Sequence, residues 1–278
     1  MFKVKNINLF FRNIASILAW TSTVGGFYLI FYPLSSEIIW KEKIEILIVF
    51  ILVNSIIAYI MSLPKSKVTL NSSKKVKTNI FFGDLFQAKT NIVIPVNEYF
   101  DTLVDNKIIT ESSVHGSFIN SVFGSNVKEL NNIIEKKLQG IQGVENSSRQ
   151  VENKIKYPLG TTIVIEYNGK RYFLVVLSKF DYYNKAYVCN KDYQNVVYSL
   201  LQAIHRYSQG QQVNIPLIGA GQSGVKLSKQ ELLEYLVFSI KMHDDLTVSG
   251  GINIILHDSL KEEIDLNKIE YLNKFGGI

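Results

Sequence analysis

Asn214-Ile-Pro-Leu-Ile-Gly-Ala-Gly-Gln-Ser-Gly224 runs an apolar stretch straight into three glycines in six residues. A short apolar run without polar alternation suits a strand buried on both faces. Glycines at 219, 221 and 224 let the chain turn sharply and let backbone N–H groups approach an anion without side-chain obstruction. Taken alone the stretch reads either as a tight strand-to-helix turn or as a pyrophosphate loop, and its surroundings decide which weight it carries.

Working outward, strands alternate with helices. Residues 77–82 are β-prone, 91–97 (Asn-Ile-Val-Ile-Pro-Val-Asn) form a continuous apolar run, and 161–167 form another. Residues 171–178 follow Asn168-Gly169, a strong hairpin signal. Helical spacing of Val197, Leu200, Leu201 and Ile204 predicts a helix over 190–209, closed by Gly210. A strand over 213–218 leads to a helix over 228–243, with Ser228 as N-cap and Glu231 three residues on. A last strand covers 251–257. The order predicts an α/β fold, a mixed sheet with helices on both faces, and ligands on such sheets bind at the carboxyl ends of the strands.

The N-terminal quarter is different. Two apolar runs, 14–32 and 44–63, are each close to the roughly 20 residues a helix needs to cross a bilayer. Residues 1–78 hold ten Lys/Arg against three Glu, a balance of +7, while 79–278 hold twenty against twenty-one. Lys3, Lys5 and Arg12 precede the first run, and Lys65, Lys67, Lys74, Lys75 and Lys77 follow the second, so the positive-inside rule puts both termini in the cytoplasm. The division expected is a transmembrane hairpin over 1–66 and a cytosolic ligand-binding domain over 67–278, the whole a multi-pass protein of the inner membrane. A signal peptide fits less well, because the first run is long and a second follows it. Trp20, Tyr28, Tyr32, Trp40 and Tyr59 include interfacial anchors. Ser22, Gly25 and Gly26 make a small-residue face on the first helix, and Asn54, too polar for lipid, is expected to point into a helix–helix interface. Residues 64–77 read as a short basic linker leaving the membrane, with a first strand entered at its end.

Composition removes some classes. The basic excess sits on the membrane segment and its flanks rather than on the folded domain, which argues against a nucleic-acid binder. Cys189 is the single cysteine, so no intrachain disulfide forms, and it reads as a small buried hydrophobe at a strand end. His115, His205, His243 and His257 have no second ligand at a metal-binding interval, so no metal site is expected.

Phe82-Gly83-Asp84-Leu85-Phe86, the strand ending at Asn97, Ser113-Val-His-Gly-Ser-Phe-Ile119 and the 215–224 loop together resemble a macro domain over roughly 77–260. A macro-like domain behind two transmembrane helices is, more particularly, similar to the membrane-bound effectors of type II Thoeris antiphage systems. The resemblance implies an ADP-ribose-derived ligand, made from NAD by a partner TIR-domain enzyme. It also implies roles. Gly83 and Asp84 take the place of the Gly-Asp that holds adenine, with an ordinary N-cap as the alternative for Asp84. Gly219, Ala220, Gly221, Gln222, Ser223 and Gly224 form the phosphate loop. His115, Gly116 and Ser117 stand where the family has its first phosphate loop, although only Gly116 matches its glycine richness, and His115 is equally an ordinary loop histidine. Asn97 and Asp101 stand near the distal ribose, with bulky residues between them where hydrolytic relatives often have small ones. No base–nucleophile pair is visible, so binding without turnover and without a cofactor is expected. The expectation is a ligand-gated, membrane-disrupting effector that self-associates in contact with membrane lipid. The alternatives are a membrane-anchored ADP-ribosyl hydrolase and a scaffold for ADP-ribosylated partners.

Overall fold

The computed structural model describes residues 7–31, 40–73, 75–151, 153–221 and 223–275, so Gln222 and most of the connection between the apolar runs lie outside the described residues. The chain divides into two compact units, Met1–Lys65 and Ser66–Ile278.

The first unit is a pair of helices, α1 (Ile7–Phe31) and α2 (Trp40–Met61). Polar groups join them. The Thr21 hydroxyl donates to Asn54 Oδ1 at 3.2 Å, and Asn13 Nδ2 donates to Ser62 Oγ at 3.1 Å. Asn54 is buried and Ala58 fully so, which places the interface on that face of α2. Gly25 and Gly26 do not take part, since a side chain at either would meet nothing within 4 Å. Among the described residues one helix, α2, is long and apolar enough to cross a membrane; the second expected span, α1, is helical for 25 residues but is not in that class.

The second unit is an α/β sandwich around a mixed sheet. Its strands are β1 (Lys67–Ser73), β2 (Val76–Phe82), β3 (Asn91–Asn97), β6 (Thr162–Tyr167), β7 (Lys170–Phe180), β8 (Ala186–Tyr187), β9 (Val213–Pro216) and β10 (Ile252–Leu256). A separate small hairpin pairs β4 (Val144–Glu145) with β5 (Ile155–Lys156). The helices are α3 (Val114–Phe118), α4 (Val127–Leu138), α5 (Asn190–Tyr207), α6 (Lys229–Met242) and α7 (Leu266–Phe275). Strand order is β1-β2-β10-β9-β3-β7-β6, with β8 added to β7. The five central strands from β2 to β7 run parallel, and β1 and β6 close the edges antiparallel. Their carboxyl ends therefore gather on one edge.

Alternation along the strands sorts the core. Val93, Phe173, Val175 and Leu177 face one layer, shared with Val197 and Leu200 of α5, Leu232 and Leu236 of α6 and Ile269 of α7. Ile92, Ile94, Val96, Leu174 and Val176 face the other, shared with Phe118 of α3 and Leu130 and Ile134 of α4. Ser228 and Glu231 form the reciprocal cap of α6. Asn168 and Gly169 both take positive φ, 48° and 72°, the geometry of a type I′ hairpin turn between β6 and β7.

Two expectations need correction. The supposed linker 64–77 contains β1, whose Val68 and Leu70 enter the core while Lys67, Thr69 and Asn71 face outward. Strict period two was present there, masked by the polar, lysine- and serine-rich text around it. Cys189 is exposed, not buried, because it is the N-cap of α5, its sulfur accepting from the Asp192 amide at 3.5 Å.

Candidate functional site

A cleft of about 620 Å³ opens at the carboxyl edge of the sheet. Its floor is Pro95, Val96 and Asn97 of β3, Leu177 and Ser178 of β7, Pro216 of β9 and Ile255 of β10. Its walls are four connections, the turn after β2, the segment 108–117, the loop after β9 and the segment 257–260 after β10. Gly83, Asp84, Asn97, His115, Ser117, Gly219, Ala220, Gly221 and Ser223 all line it. These residues come from positions up to 140 apart, and the parallel register is what brings them together.

At one end, the Gly83 amide donates to Leu256 O at 2.9 Å, tying the turn to β10. Asp84 then caps a one-turn helix over Leu85–Gln87, its Oδ1 accepting from the Phe86 amide at 2.9 Å. The capping role is thus occupied by one oxygen, and the exposed carboxylate keeps its other oxygen for a donor in the cleft.

The loop after β9 uses its glycines unequally. Gly219 has φ +83° and no room, since a Cβ would lie 3.0 Å from Tyr193 and 3.1 Å from Val225. Gly224 has φ +74°, and it stands outside the cleft lining. Gly221 has open space around it. Two of the three glycines thus serve the turn, and one leaves the cleft unobstructed. Gln222 lies outside the described residues. Among the described residues from Ile218 to Gly224, the one backbone amide that donates to a backbone carbonyl is that of Ala220, to Leu217 at 3.2 Å.

The far end is built on Asn97. Its Oδ1 accepts from the amides of Tyr99, at 3.0 Å, and Asp101, at 3.4 Å, shaping the turn after β3. Phe100 holds φ +50° inside that turn. His115, in α3, is buried, and burial depresses its imidazole to about 3, with the Asp101 backbone pulling weakly the other way. The ring is neutral at physiological pH and offers a hydrogen bond rather than a charge. Gly116 is not in the lining; it packs against the Thr110 carbonyl, where a Cβ would collide, and it receives the Ser113 cap at 3.0 Å.

Asp101 does not face this cleft. It is locked to Arg149, a residue the sequence gave no reason to single out. The guanidinium lies 3.6 Å from the Tyr99 ring centroid, and Tyr99 stacks on Phe180 at 6.4 Å. Burial raises the Asp101 carboxyl above its ordinary range despite the opposing pull of Arg149. Arg149 sits in the segment between β4 and β5, which lacks periodicity, so its partner 48 residues earlier was not legible.

A model of the family described as Thoeris protein ThsA, Macro domain, matches residues 78–257. The Thoeris protein ThsA of Bacillus amyloliquefaciens (strain Y2) is 27% identical over 239 residues, 83% of this chain and 79% of the relative. Among solved structures, a mutant Oceanobacillus iheyensis macrodomain with ADPR matches at TM-score 0.53 and 14% identity, over 75% of this chain and 99% of that one. The same macrodomain with ADP matches at TM-score 0.53 and 14% identity, over 75% of this chain and 97% of that one. The second unit has the macrodomain fold.

Proposed function

Because the chain belongs to the Thoeris ThsA macro-domain family, we propose that its second unit binds an ADP-ribose-derived signal and that this binding switches on an antiphage effector. The observation that carries the reading is the convergence of Gly83, Asp84, Asn97 and the 219–223 loop on one cleft. Its volume falls in the range of about 300–1,000 Å³ usual for small-molecule sites. In the pose we propose, the adenine amino group donates to the second oxygen of Asp84, the pyrophosphate meets the amides of Gly219 and Gly221, and the distal ribose lies toward Asn97 and His115. Asn97 Oδ1 is already shared by two amides, and its side chain also hydrogen-bonds the Asp101 carboxylate, so Asn97 shapes the ribose end of the cleft.

Recognition without turnover is the better reading of this arrangement. A hydrolase would need a base beside the distal ribose. Asp101 is committed to Arg149, and Asn97 carries no charge.

The signal would come from a TIR-domain enzyme acting on NAD, and the first unit would anchor the effector in the inner membrane. The apolar length of α2 and the basic flanks support that anchor, with both termini cytoplasmic. Two helices per chain enclose no aqueous path, so membrane disruption would require several copies together. A ligand drives such assembly only by binding the assembled arrangement more tightly than the separate one.

Titration of the full chain in detergent with ADP-ribose, ADP and NAD tests the reading. Saturation at 100 times the dissociation constant should stabilise the fold by about 2.7 kcal/mol. No shift and no binding heat with any of the three would remove it.

A further inference from the structure

Two side chains outside the cleft take hold of the glycine loop from behind, and both grip carbonyls. The Tyr193 hydroxyl, on α5, donates to Ile218 O at 2.9 Å. The Lys229 ammonium, in the first turn of α6, donates to Ala220 O. In a trans peptide the C=O and N–H of one unit point in opposite directions, and the described residues contain no cis peptide. Fixing Ile218 O therefore fixes the direction of the Gly219 N–H, and fixing Ala220 O fixes that of Gly221.

The intervening unit follows the opposite pattern. Gly219 O accepts from Ser223 Oγ at 3.3 Å, and the Ala220 N–H on its other side donates inward to Leu217 O at 3.2 Å. Three successive peptides are thus held alternately, which leaves the first and third amides, on the cleft-lining Gly219 and Gly221, for an incoming acceptor. Tyr193 is rigid in this role, since it is buried, wedged against Gly219 and packed on Tyr235 at 5.6 Å. Lys229 adds a positive charge at the carbonyl end of the Gly221 peptide, which polarises that unit and strengthens its N–H as a donor.

We propose that Tyr193 and Lys229 are positioning residues that aim the Gly219 and Gly221 amides at the diphosphate of the ligand, so that the anion specificity of the loop is set from α5 and α6. The inference rests on the ADP-ribose reading above. It assigns neither residue a contact with ligand.

Tyr193→Phe and Lys229→Met each remove one grip while keeping ring or stem. The full chain and both variants are titrated with ADP-ribose, ADP and adenosine. A released peptide costs about one hydrogen bond's net worth, so affinity for ADP-ribose and ADP should fall about fivefold in each variant, with adenosine held within about twofold. A merely structural role would weaken adenosine and ADP alike, and that outcome, or undiminished ADP binding in both variants, overturns the proposal. Wild-type protein that binds none of the three overturns the ligand reading itself, and this proposal with it. Tyr193→Phe is isosteric and Lys229 is half-buried at a helix start, so melting of each unliganded variant separates a lost aim from a lost fold.

Discussion

Arg149 and Asp101 close a two-point ion pair, Nη1 to Oδ1 at 3.0 Å and Nη2 to Oδ2 at 2.7 Å, with both side chains almost wholly buried. The pair pins the 146–153 segment against the turn after β3, and Asn153 Nδ2 adds bonds to the carbonyls of Tyr99 and Phe100. Removing one partner leaves a buried charge alone. Arg149→Ala should therefore lower stability by about 3–5 kcal/mol in urea unfolding. ADP-ribose affinity of Asp101→Asn, measured below its melting point, should stay close to wild type, because Asp101 does not line the cleft. A large affinity loss in that variant would return Asp101 to the binding machinery.

His115 should make stability pH-dependent. Its imidazole titrates near 3 in the folded chain against 6.5 in the unfolded one. The unfolded state takes up the proton first, so the stability His115 contributes is complete above pH 6.5 and is lost as pH falls toward 3. By pH 5 the loss is about 2 kcal/mol. Asp101, with its carboxyl raised, works in the opposite sense upward from 3.8. Comparing melting curves of wild type and His115→Gln isolates the histidine, and parallel pH profiles in the two would refute its assignment.

Gly221 is the position at which to block the loop. It has neither positive φ nor a close neighbour, so Gly221→Glu should fold normally and lose ADP-ribose binding by more than tenfold, as a carboxylate meets the phosphate. Gly219→Ala should instead lower stability, by about 1–3 kcal/mol from strained φ and overpacking against Tyr193. If the two variants exchange phenotypes, the division of labour among the glycines is wrong. Cells given the signal should survive with Gly221→Glu.

The seam between α1 and α2 can be trapped. Asn13 and Ser62 touch through their side chains, so the pair Asn13→Cys and Ser62→Cys, in a Cys189→Ser background, should crosslink within one chain under mild oxidation. Crosslinking should persist in membranes. Bands at dimer mass alone would mean that these helices pair between chains instead.

Much of this was legible because the strands are apolar and bounded by turn residues. The runs at 91–97, 213–218 and 251–257 became β3, β9 and β10 almost residue for residue, and Ser228 with Glu231 marked the start of α6. β1 was hidden because its outward positions, Lys67, Thr69 and Asn71, are polar and lie in a lysine- and serine-rich stretch. The cleft side of the site followed from glycines and strand ends, which are local signals. What lay behind it did not. Arg149, Tyr193 and Lys229 act across 48, 25 and 9 residues through single hydrogen-bonding groups, and no local pattern encodes such a partnership. Asp101 was misplaced for the same reason.

The order in which the strands are made differs from the order in which they lie. Among the described residues β10 is the last strand in sequence, yet it sits between β2 and β9, with Ile254 in register with Ile80 on one side and Ile215 on the other. Until it arrives, β2 with β1 and β9 with β3 and β7 are two separate ribbons, and neither the Leu256 carbonyl that anchors Gly83 nor a continuous floor exists. A chain short of residue 256 thus lacks a complete cleft floor. The cleft is therefore completed by the insertion of a single five-residue strand between two partners already made.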